Sequence, residues 1–242
     1  MSSVHTKIKK VFLIPNELSE GTAERYIPEV VKETLLGLRI IFCEDARTTR
    51  RFIGKLLRGK VSVEDYILFE LTKATTDQQL IEQINQIKSP SEIGIISDAG
   101  CPGIADPGSL LVAWAHKHAI QVVPLPGPSS ILLAIMASGL NGQSFAFNGY
   151  LPIDRAERKK RIKELERLSK SAKQTQLFIE TPYRNDKMLE DIIAICDKTT
   201  LLTVSADLTG ETEQIITKPI DQWKQGELVI GKRPAMFGFL AV

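Results

Sequence analysis

Short apolar runs alternate with longer amphipathic stretches along the first half of the chain. The short runs suit buried strands, and the stretches with apolar residues every three or four positions suit helices. Strands are predicted at 11–14, 38–43, 66–71, 93–97 and 120–125, and helices at 22–36, 48–57, 76–88 and 109–118. Alternation of this kind predicts a mostly parallel sheet with helices on both faces.

The second half has a similar pattern that begins after a rigid break. The segment 124–128, PLPGP, cannot continue a helix or a strand, and 242 residues suit two compact domains. We therefore expect an α/β protein with an N-terminal α/β domain, 1–124, and a C-terminal mixed α/β domain, 125–242. In the second domain, helices are predicted at 129–138, 155–168 and 185–196, and strands at 145–150, 176–180, 201–205, 213–217 and 235–242.

Composition and charge exclude several classes of protein. With 43% hydrophobic and 25% charged residues the chain can form a packed core, and a net charge of +2 restricts any nucleic-acid contact to a region of the surface. The cysteines Cys43, Cys101 and Cys196 are odd in number and far apart, which disfavours a disulfide framework. No signal peptide or membrane-spanning run is recognisable, so we expect a cytoplasmic protein that does not enter a membrane. No metal site is predicted, because His116 and His118 point to different sides of a helix.

One loop stands out as a place for ligand chemistry. Ligands of open α/β sheets bind beyond the carboxyl ends of the strands, and 97–108, SDAGCPGIADPG, follows such an end. Its three glycines allow backbone to approach a ligand closely. It has two aspartates, no cation and Ser109 where a P-loop has lysine, which disfavours a nucleoside triphosphate and suits the cationic S-adenosylmethionine. The alternative is a tight loop that only turns the chain.

The motif SDAGCPGIADPG, followed by VVPLPGPSS and ASGL, resembles the tetrapyrrole methylase superfamily, in particular its ribosomal RNA small-subunit methyltransferase I branch. The resemblance extends over nearly the whole chain, through the motifs EDART, FNGYLP, RAERKKRIKEL, FIETPYR and ADLT. It implies two α/β domains in a homodimer, with S-adenosylmethionine in the cleft between the domains. It also implies ribosomal RNA or the small ribosomal subunit as partner, and methylation of a cytidine ribose 2′-hydroxyl.

The resemblance also assigns residues to the cofactor. In the first domain these are Asp98, Ala99, Gly100, Pro102, Gly103 and Ile104, and in the second Ser129, Ser130, Glu180, Ala206 and Ala235. Two departures concern the substrate. The first loop reads IPNELSEG where the branch typically has threonine-proline-isoleucine-glycine-asparagine, and Tyr183 stands where a histidine is usual.

Glu44, Asp45 and Arg47 are the candidate catalytic residues. A carboxylate at a strand end could accept the proton of a ribose hydroxyl, and Arg47, with Arg50 and Arg51, could hold RNA phosphates. The alternative is that the two carboxylates only stabilise the start of a helix.

The basic stretch 155–163, RAERKKRIK, could likewise hold phosphates or form a solvated helix face with ion pairs. Two other functions stay open. One is C-methylation of a tetrapyrrole, and the other is a non-catalytic, cofactor-binding protein associated with RNA or the ribosome.

Overall fold

The chain divides into two compact units, Met1–Pro128 and Ser129–Val242. The computed structural model describes residues 7–224 and 226–241. The division falls four residues beyond the expected boundary because the 124–128 segment is bonded to the N-terminal unit: the Leu125 amide donates to the Leu13 carbonyl at 2.9 Å. None of the described helices has the length and apolar character needed to cross a membrane.

The N-terminal unit is built on a parallel sheet of five strands. The strands are β1 (Ile8–Ile14), β2 (Ile40–Cys43), β3 (Ile67–Glu70), β4 (Ser91–Ile96) and β5 (Gln121–Pro124), in the order β3-β2-β4-β1-β5. All four neighbouring pairs are parallel, as the alternating pattern predicts. Every residue of β2 is buried, as in sheets that are covered on both faces.

Helices cover this sheet in two layers with separate apolar cores. The helices are α1 (Ala23–Tyr26), α2 (Glu29–Gly37), α3 (Ala46–Leu56), α4 (Asp77–Asn85) and α5 (Gly108–Lys117). Leu35 and Phe52 of α2 and α3 pack with Ile41, whereas Leu80 and Leu111 of α4 and α5 belong to the core that contains Phe42. Neighbouring residues of β2 therefore face different layers.

One predicted helix is wrong in detail. The stretch 22–36 forms two helices, α1 and α2, separated at Ile27 and Pro28. Proline has no amide hydrogen and disfavours helical backbone at the residue before it, and Ile27 is accordingly extended. The other predicted elements are present with shifted ends; residue 242 of the last predicted strand lies outside the described residues.

The C-terminal unit has a mixed sheet of five strands in the order β6-β7-β10-β8-β9. Its elements are α6 (Ser130–Ser138), β6 (Phe145–Tyr150), α7 (Arg155–Ala172), β7 (Thr175–Glu180), α8 (Asn185–Ile195), β8 (Leu201–Ala206), β9 (Gln214–Pro219) and β10 (Ala235–Leu240). β6 and β7 are parallel, and β10 is antiparallel to both β7 and β8. The rings of Phe178 and Phe237 stack at 5.7 Å in its core, which Ile162 and Leu165 of α7 also enter.

Candidate active site

Asn16 joins the carboxyl ends of β1 and β4. Its side-chain amide donates to the carbonyls of Ser97 and Asp98 at 3.0 and 3.1 Å, and its backbone amide donates to the Gly100 carbonyl at 2.8 Å. Asn16 is only 2% exposed, so these hydrogen bonds satisfy polar groups that water cannot reach. Asn16 lies in the altered first loop and was not among the predicted site residues. Its role is to position the 97–108 loop.

The 97–108 loop also has an internal scaffold. The Asp106 carboxylate accepts hydrogen bonds from the amides of Gly103, at 2.8 and 3.0 Å, and Gly108, at 2.7 Å. Gly100 and Gly103 have φ of +67° and +86°, a conformation that strongly favours glycine. The loop therefore has a defined shape, and the Gly103 amide is engaged within it.

The 124–128 segment packs against this loop and against the end of β1. A Cβ atom on Gly127 would lie 2.3 Å from the Pro15 ring, so only glycine fits there. The Cys101 thiol donates to the Pro128 carbonyl across 3.5 Å, and partial burial raises the pKa of this thiol. Three segments that are distant in sequence are thereby fixed at one edge of the sheet.

The residues predicted to contact the cofactor differ in exposure. Asp98 and Ala99 are exposed and Ile104 is 49% exposed, whereas Gly100 and Pro102 are buried. The exposed side chains are accessible to a ligand at this edge, and the buried residues support them. Contact of each residue with the cofactor stays a prediction.

Glu44 and Asp98 lie together at the ends of the adjacent strands β2 and β4. The Glu44 carboxylate accepts a hydrogen bond from the Asp98 amide at 3.3 Å. The pKa of Asp98 is raised from 3.8 to about 6, first because its carboxyl group is partly desolvated, although the residue as a whole is exposed, and then through repulsion by Glu44 and Asp45. A group of carboxylates that destabilise one another favours a cationic ligand.

Asp45 is the N-cap of α3. Its carboxylate accepts a hydrogen bond from the Thr48 amide at 2.6 Å. This bond is the main reason why the pKa of Asp45 lies below its ordinary value, and a hydrogen bond with the Thr48 hydroxyl is the second reason. The Ala46 amide donates to Glu70 at 2.8 Å, which satisfies another amide of the first turn. The capping alternative is thus observed for Asp45, while proton acceptance by Glu44 or Asp45 stays a prediction.

Exposed arginines follow these carboxylates on α3. Arg47 and Arg50 are three residues apart on one helix face, and neither makes an ion pair within 4.0 Å in residues 7–224 and 226–241. Arg51, by contrast, lies 3.7 Å from Glu20. Arg47 and Arg50 are therefore free to contact anions of a ligand.

At the C-terminal unit's sheet edge, three predicted residues lie side by side. Glu180 ends β7, Ala206 ends β8 and Ala235 begins β10; in the strand register Ala235 pairs with both Glu180 and Ala206. The strand pairing thus brings together residues that are 26 to 55 positions apart in the sequence.

Glu180 has one carboxylate oxygen engaged and one unsatisfied. Oε1 accepts from the Thr181 amide at 2.6 Å and from Arg184 Nε at 2.9 Å. Oε2 is buried and has no hydrogen-bond partner among the described residues, as is also true of the hydroxyls of Ser205 and Thr209. Unsatisfied buried acceptors are costly, so a ligand with hydroxyl, amino or ammonium groups would satisfy this site. S-adenosylmethionine has these groups, and the residues present fit it.

Ser129 and Ser130 lie at the N-terminus of α6. Ser129 is the N-cap, and its hydroxyl accepts from the Leu132 amide at 3.5 Å.

Tyr183, the other departure noted in the sequence, is 79% exposed, with the Lys232 ammonium 5.2 Å from its ring centroid. An exposed aromatic ring near the Glu180 edge is available for stacking.

The basic helix differs from its predicted role at one position. Arg158 is buried and its guanidinium forms an ion pair of 2.7 Å with Asp191 on α8, which Arg155 also contacts at 3.0 Å. Arg161 pairs with Glu164 at 2.7 Å. Arg158 therefore cannot hold a phosphate, because it neutralises a buried carboxylate between two packed helices.

Comparison with known proteins identifies the family. The family model for Tetrapyrrole (Corrin/Porphyrin) Methylases matches residues 22–223. Relatives with 30% identity or more carry the name ribosomal RNA small subunit methyltransferase I. The protein from Vibrio cholerae is 32% identical over 209 residues, covering 82% of this chain and 69% of the relative. That from Helicobacter pylori strain J99 is 31% identical over 218 residues, covering 82% and 74%.

Solved structures agree on the fold. The methyltransferase CobJ has a TM-score of 0.62 at 14% identity, covering 97% of this chain and 99% of its own. Uroporphyrin III C-methyl transferase from Thermus thermophilus has a TM-score of 0.56 at 13% identity, covering 96% and 97%. The chain belongs to the tetrapyrrole (corrin/porphyrin) methylase family and is an S-adenosylmethionine-dependent methyltransferase.

Proposed function

We propose that this chain methylates a ribose 2′-hydroxyl of small-subunit ribosomal RNA. The observation that carries the proposal is its identity of 30% or more, across about four fifths of its length, to relatives named for that RNA. The solved tetrapyrrole methyltransferases share only 13–14% identity and support the fold alone. Arg47 and Arg50 are exposed beside the carboxylates and form no ion pair within 4.0 Å among the described residues, which agrees with a phosphate-bearing substrate.

Each unit, taken by itself, has a sheet edge with groups that suit the cofactor. S-adenosylmethionine supplies an electrophilic methyl group on a cationic sulfur. Asp98 would interact with a cationic part of it, and the unsatisfied Oε2 of Glu180 would accept a hydrogen bond from it. Gly100 and Gly103 would shape the loop around it. Ala206 and Ala235, which pair in register beside Glu180, have small side chains.

Glu44 is our candidate for the proton acceptor. A ribose hydroxyl is a weak nucleophile, and a positioned carboxylate typically contributes about 10²- to 10⁴-fold to such a step. Glu44 is partly exposed beside Asp98, whereas the carboxylate of Asp45 is used in capping α3. Arg47 would hold the phosphate next to the reacting ribose.

We further propose that the protein acts as a homodimer in the cytoplasm, on the small ribosomal subunit or its RNA. The family resemblance supports this proposal. Light scattering after size-exclusion chromatography measures the oligomeric state, and a monomeric mass throughout the working concentration range would contradict the dimer.

A methyl-transfer assay with competing acceptors tests the substrate. Purified protein and S-adenosylmethionine with a labelled methyl group are supplied with unmodified small-subunit particles, large-subunit RNA and a tetrapyrrole, each separately. We expect label on ribose in small-subunit RNA, and strong slowing by Glu44→Gln. The control Glu92→Gln removes an exposed carboxylate at the other end of β4 and should leave transfer unchanged. Label on the tetrapyrrole, or on a nucleobase, would contradict the proposal.

A further inference from the structure

α7 carries an unusual concentration of positive charge. Its residues include eight lysines and arginines and three glutamates, a net charge of +5 in a chain whose total is +2. The rest of the chain is therefore net negative. Such a local excess marks a surface for a polyanion when the cations are free.

Half of these cations are not used in ion pairs. Arg155 and Arg158 pair with Asp191, Arg161 with Glu164 and Lys163 with Glu166. Lys159, Lys160, Arg167 and Lys170 make no ion pair within 4.0 Å in the described part of the chain.

Four cations form a stripe on one face of α7. They are spaced by three, four and three residues, which places them on the same side of a helix, and all four are exposed. The stripe spans eleven residues, and its ends are about 15 Å apart at a rise of 1.5 Å per residue. The stripe consists of Lys160, Lys163, Arg167 and Lys170. Together with Glu164, Glu166, Asp197, Thr200 and Ala241 it lines a groove of about 790 Å³.

Three carboxylates line the same groove, and each is engaged by hydrogen bonds or ion pairs within this unit. Glu166 is buried and accepts from the Asp197 amide and, at 2.8 Å, from the Thr200 hydroxyl. Glu164 accepts from Arg161 at 2.7 Å. Asp197 accepts hydrogen bonds from Thr199, which hold its pKa below the ordinary value. They offset part of the positive charge of the stripe, but Lys160, Arg167 and Lys170 are exposed and form no ion pair within 4.0 Å among the described residues.

The groove lies away from the candidate active site of this unit. Thr200 directly precedes β8 and Ala241 directly follows β10, whereas Ala206 ends β8 and Ala235 begins β10. The stripe is thus at the opposite end of the same strands. A ligand there would be anchored without reaching the reacting edge.

We propose that this stripe binds the phosphate backbone of the RNA substrate, an inference that rests on the proposed function. A nucleic-acid strand rises about 3.4 Å per nucleotide in a duplex, so a stripe of this length covers several successive phosphates. Exposed lysines and arginines at this spacing match a run of phosphates without reading bases. The surface therefore contributes affinity and register, and the chemistry takes place elsewhere.

The test compares two triple variants of the full chain that remove the same charge. Lys160→Gln, Arg167→Gln and Lys170→Gln are combined, and Lys163 is kept because it pairs with buried Glu166. The control combines changes to glutamine at exposed cations outside the groove, Arg58, Lys88 and Lys187. Binding of unmodified small-subunit RNA transcript is measured from 50 to 500 mM salt, and calorimetry with S-adenosylmethionine verifies that each variant is folded.

Loss of three phosphate contacts should reduce the slope of log affinity against log salt by about 2 for single-stranded RNA and about 3 for a duplex, and affinity at 0.1 M salt by about 100-fold or more. The control should keep the unmodified protein's slope. Equal slopes for the two triple variants would overturn the inference. Displacement of the RNA by polyglutamate at a lower concentration of charged groups than unlabelled RNA requires would overturn it as well. The proposed function fails separately: if the unmodified protein binds the transcript but methylates no ribose in it, the function is wrong, and the difference in salt slopes still decides the inference.

Discussion

The raised pKa of Asp98 predicts that cofactor binding depends on pH. In the free protein this carboxyl group titrates at about 6, because it is partly desolvated and faces Glu44 and Asp45. A cationic ligand beside it would stabilise the ionised form and lower its pKa. Binding of S-adenosylmethionine should therefore release a proton, and affinity should rise with pH until Asp98 is fully ionised.

The size of the effect follows from linkage. If only ionised Asp98 binds the cation, affinity at pH 5 is about tenfold lower than at pH 7.5, and at pH 6 about twofold lower. The free protein has the opposite dependence. Because the folded state binds this proton more tightly than the unfolded state does, the contribution of Asp98 to stability is present below pH 4 and is lost as pH rises through about 6.

Calorimetry between pH 5 and 7.5, in buffers of different ionisation enthalpy, measures both affinity and released protons. Asp98→Asn should abolish the dependence in this range, whereas Glu92→Gln should preserve it. S-adenosylhomocysteine, which lacks the sulfonium charge and keeps the ammonium, shows which cation faces Asp98. Constant affinity across the range, or an unchanged pH dependence in Asp98→Asn, would contradict a direct interaction between Asp98 and a cationic group of the cofactor.

Three further predictions concern the chemistry and the framework of the site. Glu44→Gln should slow single-turnover methyl transfer at saturating RNA and cofactor by about 10²- to 10⁴-fold, whereas Asp45→Asn, which preserves an N-cap, should slow it only a few-fold; equal slowing would contradict the separate roles. Gly127→Ala places a methyl group 2.3 Å from the Pro15 ring and should destabilise the fold by about 1–3 kcal/mol in denaturant titrations, with weaker cofactor binding; an unchanged midpoint would be inconsistent with the close packing. Asp191→Asn leaves a buried guanidinium of α7 without its ion pair and should cost about 3–5 kcal/mol while leaving cofactor affinity of the folded protein unchanged; a loss below 1 kcal/mol would show that the pair is not important for stability.

The sequence predicts most elements of the fold because local patterns specify them. Parallel strands could be inferred from strand and helix alternation, and the 97–108 loop from its glycines and prolines. The break at Pro28 was accessible from the rule for residues that precede proline, but the amphipathic pattern across it concealed the division.

Contacts between distant residues could not be predicted in the same way. The Asn16 side chain reaches Ser97 only because β1 and β4 pair in a particular register, and Asp98 acquires its raised pKa from Glu44 on another strand. The sequence alone predicts Arg158 to be a surface cation, because its ion-pair partner Asp191 lies on α8, far away in sequence. Glu180, Ala206 and Ala235 are predicted as cofactor residues by the family resemblance alone, because the pattern of apolar positions does not show that they lie side by side.

Nucleoside mass spectrometry of small-subunit ribosomal RNA shows whether this protein methylates a ribose of that RNA. RNA is compared from cells with the gene, without it, and without it but expressing either the unmodified chain or Glu44→Gln. We expect that a 2′-O-methylated cytidine is lost with the gene, returns with the unmodified chain and fails to return with Glu44→Gln at equal expression. Identical ribose methylation in cells with and without the gene would contradict this expectation.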